Sequence, residues 1–213
     1  LAKPSIKTFE NDLGYKMTNS FYNSFMTQNM AVAPLGEKLK KAQRLFVDGL
    51  RKSNPEKVYY PDANSTMRVT FGQVLDYFPA DAIHYDFRTY IDGIIEKEDP
   101  TNEEFIVPAK LKELYEKKDY GKWADKDGRL VVCFLSNNDI TGGNSGSPIL
   151  NGKGELIGLA FDGNWEAMSG DIAFEPELQR TINVDIRYVM FIIDKFANAQ
   201  NLIDEIKIAQ KTR

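Results

Sequence analysis

Cysteine, histidine and long apolar runs are all scarce in this chain of 213 residues. Cys133 is the one cysteine. No disulfide can therefore form within the chain, and a lone thiol in an apolar run is expected to be a small buried residue. The apolar runs at 130–135 and 189–193 are far shorter than the roughly 20 residues that a membrane-spanning helix needs. No membrane span is expected.

Positive charge is not in excess either. Lys and Arg number 27 against 31 Asp and Glu, which gives a formal net charge of -4. A nucleic-acid backbone is bound through clustered positive charge, and here the basic residues are scattered. Nucleic acid is therefore not an expected partner. Hydrophobic residues make up 42% and charged residues 27%, which is typical of a globular protein with a buried core.

Apolar residues recur at helical spacing over the first fifty positions, beginning with Phe21 and Phe25. The pattern predicts two helices, separated at Pro34-Leu-Gly36. Since proline disfavours a helical conformation in the residue before it, Pro55 is expected to end the second helix near Asn54.

After residue 55 the pattern is typical of strands. Residues 67–75 alternate apolar and polar side chains, which predicts a half-buried strand, and the apolar run at 130–135 predicts a central one. Residues 148–150 and 155–161, joined by Asn151-Gly-Lys-Gly154, predict a β-hairpin. Further expected elements are a short helix at 109–117, a strand at 181–184, a helix at 186–197 and a last helix around 202–206.

A glycine-rich loop, Asp139-Ile-Thr-Gly-Gly-Asn-Ser-Gly-Ser-Pro148, lies between two of these strands. A serine hydroxyl is a weak nucleophile unless a general base and preorganised N–H donors surround it. Glycines beside Ser145 allow the backbone to turn its amides inward, so the N–H groups of Gly143 and Ser145 can form an oxyanion hole. The tetrapeptide Gly143-Asn-Ser-Gly146 is also common in hairpin turns, so the loop alone leaves a purely structural role open.

The surroundings of this loop resemble the nucleophile loop of chymotrypsin-like peptidases. Three segments, 141–148, 158–166 and 183–189, look more narrowly like the serine dipeptidyl-peptidase family that includes dipeptidyl-peptidases 7 and 11. The resemblance implies a mainly β fold with helices. Residues 56–213 would form a chymotrypsin-like antiparallel β-barrel, the second of a double barrel, with C-terminal helices. Residues 1–55 would be the end of an inserted α-helical domain.

The resemblance also assigns roles. Ser145 matches the nucleophile, with the backbone of Gly143 in the oxyanion hole. Asp162 matches the carboxylate that binds the free α-amino group of the substrate, and Phe161 belongs to the strand that walls the specificity pocket. Gly163 stands where members specific for acidic residues resemble one another in having Arg. The resemblance is therefore to the dipeptidyl-peptidase 7 type, which implies a hydrophobic penultimate residue.

A catalytic triad also needs a histidine base and an orienting aspartate. His84 is the one histidine, and its segment favours a structural or surface role. The family's base and aspartate belong to an N-terminal part that resembles nothing in this chain. We therefore expect the C-terminal portion of a larger peptidase, inactive by itself. The opening Leu1-Ala-Lys-Pro has no features of a signal peptide, so any export signal would lie upstream.

The resemblance further implies peptide substrates with a free N-terminus, no metal or organic cofactor, a homodimer, and the periplasm of a Gram-negative cell. The acidic residues Asp92, Glu96, Glu98 and Asp99 lack the spacing of a calcium loop and are expected to form a solvated face.

Two alternatives remain at the level of sequence. The chain could belong to a catalytically silent peptide-binding module that holds N-termini with Asp162. It could also belong to a trypsin-like endopeptidase, since Asp139 lies six residues before Ser145, at the spacing of the trypsin pocket carboxylate. Trp165 could line a substrate cleft or pack in the core.

Overall fold

The computed structural model describes residues 6–57, 59, 65–170 and 173–208. The chain divides into two compact units, residues 1–62 and 63–213. The division falls a few residues after the boundary that the sequence suggests. The opening tetrapeptide lies outside the described residues.

The first unit is helical. A short helix α1, Ile6–Asn11, is followed by α2, Leu13–Ser53, which has 41 residues. The carboxylate of Asp12 caps α2 by accepting a hydrogen bond from the Tyr15 N–H at 2.8 Å. The helix ends at Asn54, whose N–H bonds to the Leu50 carbonyl, so the predicted end is confirmed.

The predicted break at Pro34 is wrong, because Pro34 lies inside α2. An interior proline removes one helical hydrogen bond and costs about 3 kcal/mol. Helical residues on both sides of it contribute many more bonds, and propagation is favourable once a helix exists. The apolar stripe is nevertheless not buried, since Phe21, Leu39 and Phe46 are 65%, 59% and 67% exposed.

The second unit contains an antiparallel sheet of five strands, which are β3 (Arg88–Tyr90), β4 (Val131–Ser136), β5 (Pro148–Leu150), β6 (Leu156–Gly163) and β7 (Thr181–Asp185). Their order in the sheet is β3-β4-β7-β6-β5. The central position of β4, the β5–β6 hairpin and the strand β7 confirm three sequence predictions. The strands β3 and β5 form the two edges of the sheet. Within the described residues the sheet therefore does not close into the predicted barrel. A closed barrel would require the edge strands β3 and β5 to pair with each other. Among the described residues β3 pairs with β4, and β5 pairs with β6.

The predicted strand at residues 67–75 is also wrong. Only its end approaches the sheet, where Val74 forms an isolated bridge with Ser136. Met67 and Phe71 are 92% and 90% exposed. Alternation indicates which face a strand would bury, but a strand also needs a neighbour, and the described residues offer none here. A two-stranded hairpin follows instead, formed by β1 (Tyr77–Ala80) and β2 (Ile83–Tyr85).

Helices pack against the large sheet, and α5 (Ile186–Phe191) contacts β4, β6 and β7. The helix predicted at 109–117 is confirmed, and the one predicted at 186–197 is confirmed with a π-helical last turn, Ile192–Phe196. None of the described helices is long and apolar enough to cross a membrane. The helices are α3 (Asp92–Glu96), α4 (Ala109–Glu116), α5 (Ile186–Phe191) and α6 (Gln200–Glu205).

The hydrophobic core lies between these helices and the sheet. Phe191 and Leu130 are completely buried at its centre, with Ile91 beside them. The indole of Trp123 donates to the Asp194 carboxylate at 2.8 Å, so its buried N–H has a partner. Cys133 is half-buried rather than fully buried, and desolvation raises the pKa of its thiol.

Phe191→Ala should lower the free energy of unfolding by about 3–5 kcal/mol, because it leaves a cavity in this core. Phe71→Ala is the control, since that ring is 90% exposed, and should change it by less than about 0.5 kcal/mol. Urea unfolding followed by circular dichroism measures both, and equal losses would contradict the assigned core.

Candidate active site

The loop between β4 and β5 contains two consecutive β-turns, at residues 141–144 and 144–147. The Thr141 carbonyl accepts from the Asn144 N–H at 3.2 Å, and the Asn144 carbonyl accepts from the Ser147 N–H at 2.9 Å. Gly143 and Gly146 occupy the third position of each turn with φ of 99° and 79°. A positive φ at this position is the mark of a type II turn and is one that L side chains rarely adopt. Both glycines are therefore required by the backbone.

Strand β6 holds this loop in place. The Gly146 N–H donates to the Ala160 carbonyl at 2.7 Å, and the Ala160 N–H donates to the Ser147 carbonyl at 2.9 Å. These bonds leave Ser145 exposed at the corner of the second turn. Its hydroxyl donates to the Phe161 carbonyl at 3.3 Å.

Two main-chain amides beside this hydroxyl have no acceptor. In the part of the chain that the structure describes, neither the Gly143 N–H nor the Ser145 N–H forms a hydrogen bond. Unengaged donors next to an exposed serine are what an oxyanion hole requires. The roles of Ser145 and Gly143 stay predictions.

A β-bulge in β6 presents the other predicted residues. Ala160 pairs with Asn183 and Asp162 with Ile182, so Phe161 is the extra residue between them. A bulge bends its strand and re-aims the side chains beside it. Phe161 is 59% exposed, and Asp162 is exposed with its carboxylate accepting from the Gly163 N–H at 2.8 Å. The contact of Ser145 with the Phe161 carbonyl therefore brings the serine and the Asp162 segment together.

Gly163 packs closely against the 3-10 helix Trp165–Ser169. A Cβ atom at Gly163 would lie 2.9 Å from the Cβ of Ala167, which is closer than real Cβ atoms approach. Trp165 is 84% exposed and Met168 is 80% exposed. Interpreting Trp165 as a packed core residue is therefore wrong. Its ring and Phe161 give this region an apolar surface.

Two polar residues without an assigned role in the sequence fasten this region. The Asn164 side chain accepts from the Arg180 N–H at 2.8 Å and donates to the Leu178 carbonyl at 2.8 Å. Arg180 is 5% exposed, and its guanidinium donates to the carbonyls of Asp76 and Pro176. Nothing in the spacing of a lone Asn and a lone Arg distinguishes them before the fold is known.

Tyr77 adds a third fastening. Its hydroxyl donates to the Glu166 carboxylate at 3.1 Å, and Glu166 also accepts from Asn164 at 2.8 Å. Desolvation by burial raises the pKa of the Tyr77 hydroxyl, so it remains a donor at neutral pH. The 3-10 helix beside Gly163 is thereby tied to β1.

The one histidine does not contact the candidate nucleophile. The His84 Nε2 lies 2.7 Å from the Asp76 carboxylate, and its ring stacks on Phe78 with centroids 4.5 Å apart. The Ser145 hydroxyl bonds to a carbonyl instead. The described residues thus bring no imidazole to Ser145. Asp139 is half-buried, and its selectivity role stays an open alternative.

The acidic residues near position 96 have partners that are not metals. Asp92 lies 3.5 Å from Arg129, and Glu98 lies 2.6 Å from Lys112. Hydrogen bonds from Thr101 hold the pKa of Asp99 below its usual value. No group of three or more His, Cys, Asp or Glu suited to a metal ion occurs among the described residues.

The comparisons with known proteins agree with the family prediction. A family model described as Peptidase S46 matches residues 1–208. This chain belongs to the peptidase S46 family. Dipeptidyl-peptidase 7 of Phocaeicola vulgatus, an S46 relative, is 49% identical over 210 residues, which cover 99% of this chain and 29% of that protein. The Asp/Glu-specific dipeptidyl-peptidase of Porphyromonas gingivalis is 44% identical over 207 residues, or 97% of this chain and 29% of that protein.

Solved structures support the fold. DPP11 of Porphyromonas endodontalis in complex with the dipeptide Arg-Asp matches with a TM-score of 0.87 at 42% identity, covering 97% of this chain and 30% of that one. The complex with Arg-Glu matches with a TM-score of 0.84 at 44% identity, covering 90% of this chain and 27% of that one. The predicted combination of antiparallel β-structure and helices is confirmed. The chain spans less than a third of the length of these S46 relatives.

Gly163→Ala should destabilise the protein by about 1–3 kcal/mol, because the new methyl group must push the Ala167 helix away. The double variant Gly163→Ala/Ala167→Gly removes the colliding atom and should recover most of the loss, with Ala167→Gly alone as the matched control. Thermal unfolding gives the coupling free energy. Strictly additive changes in the free energy of unfolding for the two substitutions would contradict the contact.

Proposed function

We propose that this chain carries the nucleophile and part of the substrate site of a serine dipeptidyl-peptidase. The enzyme would release dipeptides from peptides with a free amino terminus. The observation that carries this proposal is the contact of the exposed Ser145 hydroxyl with the Phe161 carbonyl, one residue before the exposed carboxylate of Asp162. Membership of the peptidase S46 family supports it.

In the proposed reaction, Ser145 Oγ attacks the carbonyl carbon of the second substrate residue while a base removes the hydroxyl proton. The tetrahedral oxyanion accepts hydrogen bonds from the N–H groups of Gly143 and Ser145. Such donors contribute about 10²–10³ in kcat each, because charge develops where they point. The C–N bond then breaks, the amine leaves with a proton, and water hydrolyses the acyl-enzyme. These steps need no metal or organic cofactor.

Asp162 would set the length of the product. A carboxylate paired with the substrate ammonium forms a charge-assisted hydrogen bond, and its fixed distance from Ser145 would place the second peptide bond at the nucleophile. A blocked amino group carries no charge and cannot form this pair. The pair therefore distinguishes an exopeptidase from an endopeptidase.

Selection of the penultimate side chain is the finer part of the proposal. Relatives named dipeptidyl-peptidase 7 and relatives named Asp/Glu-specific both match this chain, so their names do not decide between the two preferences. Gly163 has no side chain, and Phe161 and Trp165 are exposed near it. We propose an uncharged pocket that prefers hydrophobic residues, since position 163 carries no guanidinium that would recruit a carboxylate.

The base must come from outside the described arrangement. The curated relatives above are more than three times as long as their matched part, and we propose that a histidine and an aspartate in a longer parent chain complete the triad. The 213-residue chain alone would then be inactive. A periplasmic location, with an upstream export signal, and a homodimeric parent remain proposals that follow from the family resemblance.

The central test compares fluorogenic amides of a hydrophobic dipeptide with free and blocked amino groups. The full-length parent should cleave only the free form, and Ser145→Ala should lower kcat/KM by at least about 10³-fold. Asp162→Asn keeps the shape but not the charge, and should lower kcat/KM for the free form by about 10–150-fold, as expected for a charge-assisted bond of about 1.5–3 kcal/mol.

Two outcomes would contradict the proposal and favour its rivals. Cleavage of blocked Lys or Arg substrates would favour the trypsin-like endopeptidase that uses Asp139. Binding of free N-termini without any cleavage, lost in Asp162→Asn, would favour the silent peptide-binding module. The isolated 213-residue chain is the control for the missing base and should be inactive on both substrates.

Gly163→Arg should move the preference from hydrophobic towards Asp and Glu at the penultimate position, by about 10-fold or more in the kcat/KM ratio. It is made together with Ala167→Gly, because the new Cβ would otherwise collide with Ala167. Ala167→Gly alone is the control and should keep the original preference. An unchanged ratio in the double variant would exclude the assigned pocket position.

A further inference from the structure

The first turn of the loop, residues 141–144, does not by itself fix the proposed oxyanion hole. Its central peptide joins the Gly142 carbonyl to the Gly143 N–H, and in a trans peptide these two groups point in opposite directions. Type I and type II turns differ mainly by a rotation of this peptide through about 180°. Glycine at both positions makes both orientations accessible. The direction of the Gly143 N–H therefore needs an external restraint.

Arg68 supplies a contact at this peptide. Its guanidinium Nη2 donates to the Gly142 carbonyl at 3.4 Å, across 74 positions of sequence. The same nitrogen lies 3.5 Å from where a Cβ of Gly143 would be. Within the described residues the Gly142 carbonyl accepts no other hydrogen bond. Arg68 is half-buried, whereas its neighbours Met67 and Val69 are 92% and 80% exposed.

We propose that Arg68 is a positioning residue that keeps the Gly142–Gly143 peptide turned with its N–H towards the reacting carbonyl. This rests on the function proposed above. In the rotated turn the Gly142 carbonyl would replace the Gly143 N–H at the hole and repel the oxyanion. That rotation would also remove the acceptor of the guanidinium. Arg68 therefore favours the orientation that stabilises the transition state.

The proposal separates Arg68 from substrate binding. Its guanidinium contacts a loop carbonyl, and the substrate ammonium is assigned to Asp162. Loss of Arg68 should therefore lower kcat while leaving KM nearly unchanged. It should also weaken binding of a boronate inhibitor, whose tetrahedral adduct places an oxygen in the hole. Binding of the product dipeptide, whose carboxylate is planar, should be weakened less.

The experiment uses the full-length parent with Arg68→Met, which keeps the length of the side chain but removes its donors, and Arg68→Lys, which keeps one charged donor. Arg68→Met should lower kcat by about 10–100-fold, which is less than the roughly 10²–10³-fold loss on complete removal of one oxyanion donor, because the donor itself is retained. It should weaken binding of the boronate by a similar factor. KM and product affinity should change by less than about two-fold. Arg68→Lys should retain part of the activity.

Arg129→Met is the matched control, because Arg129 pairs with Asp92 and makes no hydrogen bond to the loop among the described residues. It should leave kcat unchanged. An active parent in which Arg68→Met keeps kcat and boronate affinity within two-fold would overturn the proposal. Equal losses in product and boronate affinity would also overturn it, since they would make Arg68 a substrate-binding residue.

A second variant and the activity of the unmodified parent keep the result interpretable. Should Arg68→Met fail to fold in a thermal unfolding assay, Arg68→Lys carries the test, with a kcat loss of at least about three-fold at unchanged product affinity expected and unchanged kcat contradicting. Failure of the proposed function gives a different result, because the unmodified parent would then release no dipeptide.

Discussion

Two hydrogen bonds between the loop that carries Ser145 and strand β6 hold the candidate site together. They join Gly146 and Ser147 to Ala160, directly before the bulge at Phe161. Without them the loop would be a surface segment of seven consecutive polar or glycine residues, 141–147, and Ser145 would have no fixed relation to β6. With them, Ser145 and Asp162 are held on one backbone framework. The distance between the proposed nucleophile and the Asp162 carboxylate is then set by the sheet.

Side-chain hydrogen bonds of Asn164 and Arg180 also fix the position of the end of β6. Asn164 joins the end of β6 to the start of β7, and Arg180 fastens the segment at Asp76 through main-chain carbonyls. Buried polar groups that are fully bonded rigidify a site, because each lost bond would leave a desolvated group without a partner. The exposed Phe161 and Trp165 therefore stand on a rigid base.

The sequence correctly predicts the structural features that depend on a few neighbouring residues. Three predictions are confirmed: the position of the Ser145 loop between two strands, the β5–β6 hairpin, and the end of α2 near Asn54. Glycine, turn and capping preferences act within a few residues, so a linear pattern contains them. Two predictions fail for physical reasons. Pro34 lies inside a helix whose other hydrogen bonds offset its cost. Residues 67–75 have the alternation of a strand, but among the described residues only their end, at Val74, meets a partner. Barrel closure, the roles of Asn164 and Arg180, and the contact of Arg68 with Gly142 depend on distant pairings that a linear pattern does not contain.

The central claim is that Ser145 is the nucleophile, and covalent labelling tests it most directly. The full-length parent would be treated with a fluorophosphonate, digested and mapped by mass spectrometry while dipeptide release is followed in parallel. The account predicts one adduct, on Ser145, formed in proportion to the loss of activity and prevented by a competing free-amino dipeptide. Complete inactivation with the adduct on another residue, or continued dipeptide release by protein fully labelled at Ser145, would contradict it.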